Sequence, residues 1–244
     1  YDLNTDIRFV NNWTIDLGGG YRPVNYSNST LRGGPRWRIS KTGWQYFFIG
    51  SDNRKKFYFR TGAIISQWED NESSLFKVKA ELNYQPSNAL NISLEPEYNS
   101  RPNKTQYITQ VFYNEDNRYV LGTIDNQTFQ ASLRINYSLN PNLSIQYYGQ
   151  PFVSRGVFKD IKYVTNPTAT NLNDRFKLYS NNQISQNQGV YNIDENIDGS
   201  NDYSFDNPNF SQIQFASNLV RRWEYIPGSE LFLGWSQAIN SGLS

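Results

Sequence analysis

Residues 128–154, "TFQASLRINYSLNPNLSIQYYGQPFVS", contain two runs in which polar and apolar residues alternate, joined by Asn-Pro-Asn. A period of two is typical of a β-strand whose two faces differ in polarity, and the short turn makes the two runs a predicted β-hairpin. Residues 74–99 repeat the pattern around "QPSN". The apolar face of the first run consists of Phe129, Ala131, Leu133, Ile135, Tyr137 and Leu139.

Similar segments recur along the chain between turn residues, and none has a helical period. The sequence therefore predicts an all-β, antiparallel protein. About thirteen strands are predicted, at residues 2–10, 13–22, 33–40, 43–51, 55–68, 74–84, 89–99, 104–114, 117–125, 127–138, 143–155, 210–225 and 228–238.

The composition excludes several functional classes. The chain has no Cys and no His, so it can form neither a disulfide nor a Cys or His metal site, and Ser-His-Asp or Cys-His catalysis is impossible within it. A net charge of +1 gives no overall basic footprint for nucleic acid. The mean hydropathy of −0.71 and the lack of a long apolar run exclude a transmembrane helix. No catalytic residue is assigned, and enzymatic activity is left open.

Two classes remain: a soluble all-β protein and a transmembrane β-barrel of the outer membrane of a Gram-negative bacterium. The predicted strands have about 10–13 residues, whereas globular strands have about 5–6 and tilted membrane strands about 9–11. Four aromatic residues precede short turns on apolar faces, as an aromatic girdle at a membrane interface would, although cross-strand packing is the alternative. They are Tyr84, Tyr137, Trp223 and Tyr225. We expect the outer-membrane barrel.

The opposite faces carry charges that would line the barrel lumen, or face solvent in a soluble protein. Glu95 and Glu97 share a face and could serve glycoside hydrolysis, but charged lining is the preferred interpretation. The predicted lumen charges are Arg60, Lys77, Lys79, Glu81, Glu95, Glu97, Arg134, Arg222 and Glu224.

Short turns face the periplasm in such barrels, and longer loops face outside. This rule places 11–12 outside despite its tightness and 23–32 inside despite its length. An odd strand count also predicts at least one more strand beyond Ser244. Residues 1–244 are then part of one barrel, and 156–209 form a long extracellular loop. The predicted periplasmic turns are 51–54, 85–88, 114–117, 139–142 and 226–228, and the predicted external connections also include 69–73 and 100–103.

Residues 217–237, "SNLVRRWEYIPGSELFLGWSQ", form a predicted hairpin in which one residue breaks the pattern. Arg221 alternates with Leu219 and Trp223 on the face predicted to meet lipid. An arginine on a lipid face costs about 2–4 kcal/mol at mid-depth. We therefore expect that the side chain snorkels, that a bulge turns it inward, or that another protein covers this wall.

Several stretches resemble the C-terminal outer-membrane β-barrel of a Bacteroidota family of unknown function, from about residue 30 onward. They are "TLRGGPRWRIS", "SDNRKKFYF", "LRINYSLNPNLSIQYYGQPFVSRG" and "FDNPNFSQIQFASNLVRRWEYIPGSELFLGWSQ". Members usually carry an N-terminal carbohydrate-binding module similar to family 9. The resemblance implies an outer-membrane location, a module before this segment and a further strand after it.

Three functions are consistent with these observations. The first is a channel, transport or surface-binding component linked to glycan handling. The second is a structural subunit of a larger outer-membrane complex for secretion or nutrient uptake, and the third is a carbohydrate-active enzyme with its site at the barrel mouth. The expected partners are outer-membrane lipid, glycans and other outer-membrane proteins, and no nucleic acid.

Residues 194–202, "DENIDGSND", match the calcium-loop pattern D-x-[DN]-x-[DN]-G. Alternate oxygen ligands followed by a glycine turn can wrap a Ca²⁺ ion, but Phe205 stands where the bidentate Glu is expected. An acidic surface loop is the alternative. The candidate ligands are Asp194, Asn196, Asp198, Ser200 and Asp202.

If Ca²⁺ binds this loop, adding it should order the loop, because the ion would hold several side chains together. We expect Ca²⁺ titration to slow proteolytic cleavage between residues 194 and 206. Cleavage that is equally fast with Ca²⁺ and with a chelator would contradict the motif assignment.

Overall fold

The computed structural model describes residues 1–243, which form strands joined by turns and two 3₁₀ turns at Glu69–Asn71 and Leu172–Arg175. The predicted all-β, antiparallel class is confirmed. The strands are β1 Asp2–Arg8, β2 Thr14–Arg22, β3 Asn25–Ser27, β4 Trp37–Ile39, β5 Thr42–Gly50, β6 Phe57–Trp68, β7 Ser74–Ser87, β8 Leu90–Ser100, β9 Asn103–Tyr113, β10 Asp116–Asn140, β11 Leu143–Val164, β12 Phe176–Leu178, β13 Ile184–Asn187, β14 Val190–Ile193, β15 Tyr203–Asp206, β16 Phe210–Ile226 and β17 Ser229–Leu243.

The main sheet is an up-and-down meander in the order β1-β2-β5-β6-β7-β8-β10-β11-β16-β17. β9 and β12 extend it beside β10 and β11, while β13–β15 form a small sheet and β3 pairs with β4. Within residues 1–243, β1 and β17 each pair on one side, so closure into a barrel stays a prediction. The strand predicted beyond Ser244 lies outside the described residues. No helix in residues 1–243 has the length and hydropathy needed to cross a membrane.

The two strands predicted at 117–125 and 127–138 are one strand, β10, of 25 residues. Its first half pairs with β9 and its second half with β8. The break predicted at 100–103 is present between β8 and β9, where Pro102 has no N–H to give to the ladder. Asn114 and Glu115 then reverse the chain with positive φ angles of 50° and 62°, as a type I′ hairpin requires.

This pairing corrects the predicted turn assignment. The predicted strand 33–40 is only β4 and lies outside the main sheet, and the predicted strands 117–125 and 127–138 are one strand. These two differences reverse the end of the sheet assigned to the turns 11–12, 23–32 and 114–117. Turn 114–115 lies opposite turn 141–142, while 11–12 joins the short turns and 23–32 joins the long connections. The short-turn end contains 9–13, 51–56, 88–89, 141–142 and 227–228, and the long-loop end contains 23–41, 69–73, 101–115 and 165–209.

The register gives the sheet an apolar face and a polar face. One row of paired residues crosses seven strands with an apolar or aromatic side chain at every position: Phe57, Tyr84, Ile92, Ile135, Tyr147, Leu219 and Trp235. The adjacent row points to the other side: Tyr58, Asn83, Ser93, Arg134, Tyr148, Asn218 and Ser236. Successive side chains of a strand point to opposite faces, so the two rows define the two surfaces.

The long connections fold into a cap at the long-loop end, formed by residues 23–41, 69–73, 101–124 and 157–209. The predicted loop 156–209 is shorter than expected, because β11 continues to Val164. Toward the cap, the polar side of β10 and β11 becomes apolar at Ile124 and Phe158, which pack against the small sheet of β13–β15. The other side is covered where Leu121 packs against Leu31 and Trp37.

Arg175 joins three segments of the cap. Its side chain is fully buried, and Nη1 donates to the Arg38 carbonyl at 3.1 Å and to Glu72 Oε2 at 3.4 Å. Further hydrogen bonds run to the carbonyls of Ala169, at 2.9 Å, and Thr170, at 3.1 Å. A buried charge needs such compensation, so this guanidinium fixes how the connections pack.

Replacing Arg175 by Met should destabilise the cap by about 3–5 kcal/mol, because Glu72 would remain buried without its partner. Lys177→Met changes an exposed neighbour and should have an effect within about 0.5 kcal/mol. The urea concentration at which protease begins to cleave residues 165–209 measures the stability of the cap in both variants. Equal sensitivity of the two variants would contradict the role given to Arg175.

Candidate functional site

The polar face is the candidate functional surface of this protein. The register places all nine predicted lumen charges on it, from five different strands, and the four predicted girdle residues on the apolar face. The nine charges are Arg60, Lys77, Lys79, Glu81, Glu95, Glu97, Arg134, Arg222 and Glu224. That they line a lumen stays a prediction, because closure of the sheet is not seen in residues 1–243.

Most of these charges are paired across strands. Lys77 and Lys79 both approach Glu97, at 2.9 and 3.3 Å. Arg60 donates from Nε and Nη2 to Asp16 Oδ2, at 3.1 and 2.8 Å, and lies 3.8 Å from Glu81. The sequence analysis missed Asp16, although the alternation of β2 places it on the same face. The polar face therefore carries a ladder of opposite charges.

The Glu95–Glu97 pair has the predicted common face but not two free carboxylates. Glu97 is held by its two lysines, whereas Glu95 lies exposed across from Glu81 in the register. A groove of about 230 Å³ opens here and also borders Gln130 and Tyr148. Its carboxylate, amide and hydroxyl groups can bind polar solutes, while glycoside hydrolysis stays a hypothesis.

Two further pairs stand nearer the short-turn end. The Arg134 guanidinium lies 4.9 Å from the centroid of the Tyr148 ring. Arg222 contacts Glu230 on the next strand and lies 3.7 Å from Glu224. The Arg222 charge is thus balanced by acidic side chains, whereas Arg134 contacts an aromatic ring.

The four predicted girdle residues lie on the apolar face near short turns. Tyr84, Tyr137 and Trp223 each stand four residues before such a turn, and Tyr225 stands two before one. All four are exposed, and the rings of Trp223 and Tyr225 are 5.9 Å apart. The structure thus brings these aromatic residues to one end of the sheet, although contact with lipid stays a prediction.

Arg221 lies on the apolar face, as the alternation predicts. It pairs with Ile145 and Leu233 in a register that is unbroken from residue 210 to 223, so no bulge turns it inward. The side chain is exposed. Trp223 stands two residues nearer the short turns, and a long arginine side chain can reach that level by snorkelling.

The loop predicted to bind calcium winds around its own acidic side chains. Asp194 accepts hydrogen bonds from the N–H groups of Asp198, at 3.1 Å, and Gly199, at 2.8 Å. Asp202 accepts from the Glu195 N–H at 2.7 Å, and Phe205 is buried in the cap instead of facing the loop. No group of three or more acidic side chains in residues 1–243 has the arrangement of a metal site. Calcium binding therefore stays a prediction from the motif.

The cap contains a buried polar network that the sequence analysis missed. Tyr203 donates to Glu195 Oε2 at 2.5 Å and contacts the Tyr179 hydroxyl at 2.8 Å. Arg118 Nε donates to Glu195 at 3.1 Å. Burial raises the pKa values of both tyrosines, so the network stays a set of neutral hydroxyls around one ion pair. Arg118 and Glu195 are 77 residues apart, and no local pattern reveals their pairing.

The fold and this surface define a class of protein: an antiparallel meander sheet with one apolar face, one charged face and a folded cap. The chain belongs to the DUF5916 family, described as a domain of unknown function, whose match covers residues 2–243. A search among curated proteins found no match. The Bacteroidota barrel and the carbohydrate-binding module implied by the resemblance stay predictions.

Lys162 is a buried amine at the junction of sheet and cap. It is 3 % exposed, and Nζ donates to the Lys104 carbonyl at 2.9 Å and to Thr123 Oγ1 at 3.0 Å. Burial lowers its pKa to about 8 from 10.5, against the opposing effect of Asp160. The folded protein thus binds this proton less tightly than the unfolded chain does.

The lowered pKa of Lys162 predicts that stability rises between pH 8 and 10.5, where the unfolded chain still binds the proton that the folded protein has released. The gain is at most about 3 kcal/mol. Lys162→Met should lose this gain. Urea unfolding of the wild type and of the variant, at pH 7 and at pH 10, measures the difference. The same pH dependence in the variant would show that Lys162 does not cause it.

Proposed function

We propose that this chain forms part of an outer-membrane β-barrel whose polar face lines an interior for polar solutes. The observation that carries the proposal is the bare apolar face of the sheet. Phe47 is 49 % exposed, Leu233 56 % and Trp235 53 %. Soluble monomers rarely expose contiguous apolar patches of more than a few hundred Å², and a soluble sheet covers such a face with a second layer.

The height of the apolar face supports a membrane environment. On β10 it runs from Leu139, near the short turns, to Phe129, beyond which the strand enters the cap. Ten residues of strand extend roughly 33 Å, and a tilt of about 40° reduces this to roughly 25 Å. That is about the height of the apolar band of an outer-membrane barrel. The girdle residues would mark its periplasmic boundary and the cap its external boundary.

The polar face supports passage or capture of polar molecules rather than of ions of one sign. Its acidic and basic side chains are paired across strands, as Lys77 and Glu97 are. A wall of paired charges and hydrogen-bonding groups suits uncharged polar solutes such as glycans. The link to glycans also draws on the family resemblance, while the outer-membrane location draws on the two-faced sheet.

A second candidate function is a structural subunit of a larger outer-membrane complex. Arg221 favours it, because its exposed charge lies among apolar residues of β11 and β17. A partner protein that supplies a carboxylate at this position would remove the cost of placing the charge in lipid. The two functions are compatible, since a conduit can also be a subunit.

Adjacent residues of β10 test the membrane proposal. Leu133 lies on the apolar face and Ser132 on the polar face. Leu133→Arg should lower the stability of the liposome-inserted protein by about 2–4 kcal/mol, because the charge would enter lipid. Ser132→Arg should change it by less than about 1 kcal/mol, since the new side chain would meet water.

Urea unfolding of the full chain from liposomes gives both values, and membrane fractionation of cells that express it gives the location. A chain found in the soluble fraction, with equal effects of the two substitutions, would contradict the proposal.

A further inference from the structure

Three aromatic side chains form a column on the polar face of β5. Trp44, Tyr46 and Phe48 alternate along the strand with Gln45 and Phe47, which point to the apolar face. Alternate residues of a strand are about 7 Å apart. The column therefore runs along the strand from the cap toward the short turns, on the side that the proposed function assigns to the interior.

Each ring of the column leans over a glycine of a neighbouring strand. The paired glycines are Gly20 beside Trp44, Gly18 beside Tyr46 and Gly62 beside Phe48. A Cβ at these glycines would lie 2.4 Å from Trp44 Cζ2, 2.8 Å from Tyr46 Cε1 and 2.5 Å from Phe48 Cδ1. The rings therefore occupy the space above these glycines on the polar side, and the planes of Tyr46 and Phe48 are tilted by 48° to each other. Covering a glycine with an aromatic ring stabilises a strand.

Two of the three rings have free surface. Phe48 is only 8 % exposed, because the Arg60 guanidinium lies 4.5 Å from its ring centroid and is held there by Asp16. Trp44 and Tyr46 are half-buried. The Arg22 guanidinium lies 5.8 Å from the centroid of the Trp44 ring, and the Tyr46 hydroxyl donates to Asn4 Oδ1 at 2.9 Å. Trp44 and Tyr46 thus form a partly exposed aromatic platform between Arg22 and the Arg60–Asp16 ion pair.

Hydrogen-bonding groups continue the row of Tyr46 across the sheet. The register leads from Tyr46 through Ile64 to Lys77, Asn99 and Thr128. Lys77 shares the carboxylate of Glu97 with Lys79, so the row offers hydrogen-bond donors and acceptors among paired charges. A ligand that fits must combine flat apolar faces, which stack on rings, with many hydroxyl groups and no charge. The pyranose units of a neutral oligosaccharide have this combination.

We propose that Trp44 and Tyr46 are a stacking platform for a neutral oligosaccharide, whose hydroxyl groups are bound by Lys77, Glu97 and Asn99. This inference rests on the proposed function, because it takes the polar face as the interior of the barrel. It assigns a substrate class and a location to that surface, at the part of β5 nearest the cap.

Calorimetric titration of the full chain, in a detergent without a sugar head group, tests the platform with maltohexaose, cellohexaose and mannohexaose. We expect at least one of them to bind. Trp44→Ala and Tyr46→Ala should each weaken that binding about tenfold or more, whereas Trp44→Phe, which keeps a flat ring, should stay within about threefold.

Phe47→Ala is the matched control, because it removes a ring from the same strand on the opposite face. It should leave the affinity unchanged. The proposal is overturned if none of the three hexasaccharides binds the wild type, or if Trp44→Ala and Tyr46→Ala bind as the wild type does. Binding by a chain that fails to enter liposomes would uphold the platform and contradict the membrane proposal, so the two failures are distinguishable.

Discussion

Backbone hydrogen bonding between neighbouring strands fixes the register on which the rest of this structure depends. A shift of one residue in any strand would move its apolar side chains to the polar face. Because the register holds across seven strands, Phe57 and Trp235 belong to one continuous apolar surface although they are distant in the sequence. The pairing of Lys77 with Glu97, and of Arg60 with Asp16, follows from the same register on the other surface.

The cap shows where the two-faced arrangement ends. In the first half of β10, Val120 and Leu121 are adjacent and both fully buried, so both faces are covered there. One face meets the small sheet and the other meets the segment that contains Trp37. Arg175 links the connections that make this possible, since its guanidinium satisfies carbonyl groups from separate segments. The apolar face of the sheet is therefore exposed toward the short turns and covered within the cap.

The polar face joins two kinds of recognition chemistry. Its paired charges provide donors and acceptors, and Trp44 and Tyr46 provide aromatic surface beside them. Membership of a family of unknown function adds no chemistry to these residues, so the functional argument comes from the faces themselves. The glycines of β2 are part of that argument, because only a residue without a side chain leaves room for the neighbouring rings.

Alternation along single strands was enough to predict the fold class, most strand positions and the common face of the nine charges. Successive side chains of a strand point to opposite faces, so the sequence of one strand is sufficient to assign them. The extent of β10 was not readable in this way. Its polar residues 125–127 resemble a turn, but the Asn126 carbonyl accepts a hydrogen bond from Arg101 N–H at 2.8 Å and the strand continues. The cap was equally hidden, since Arg175 and Glu72 are 103 residues apart. Periodicity is a local property of the chain, whereas pairing and burial depend on residues that only the folded chain brings together.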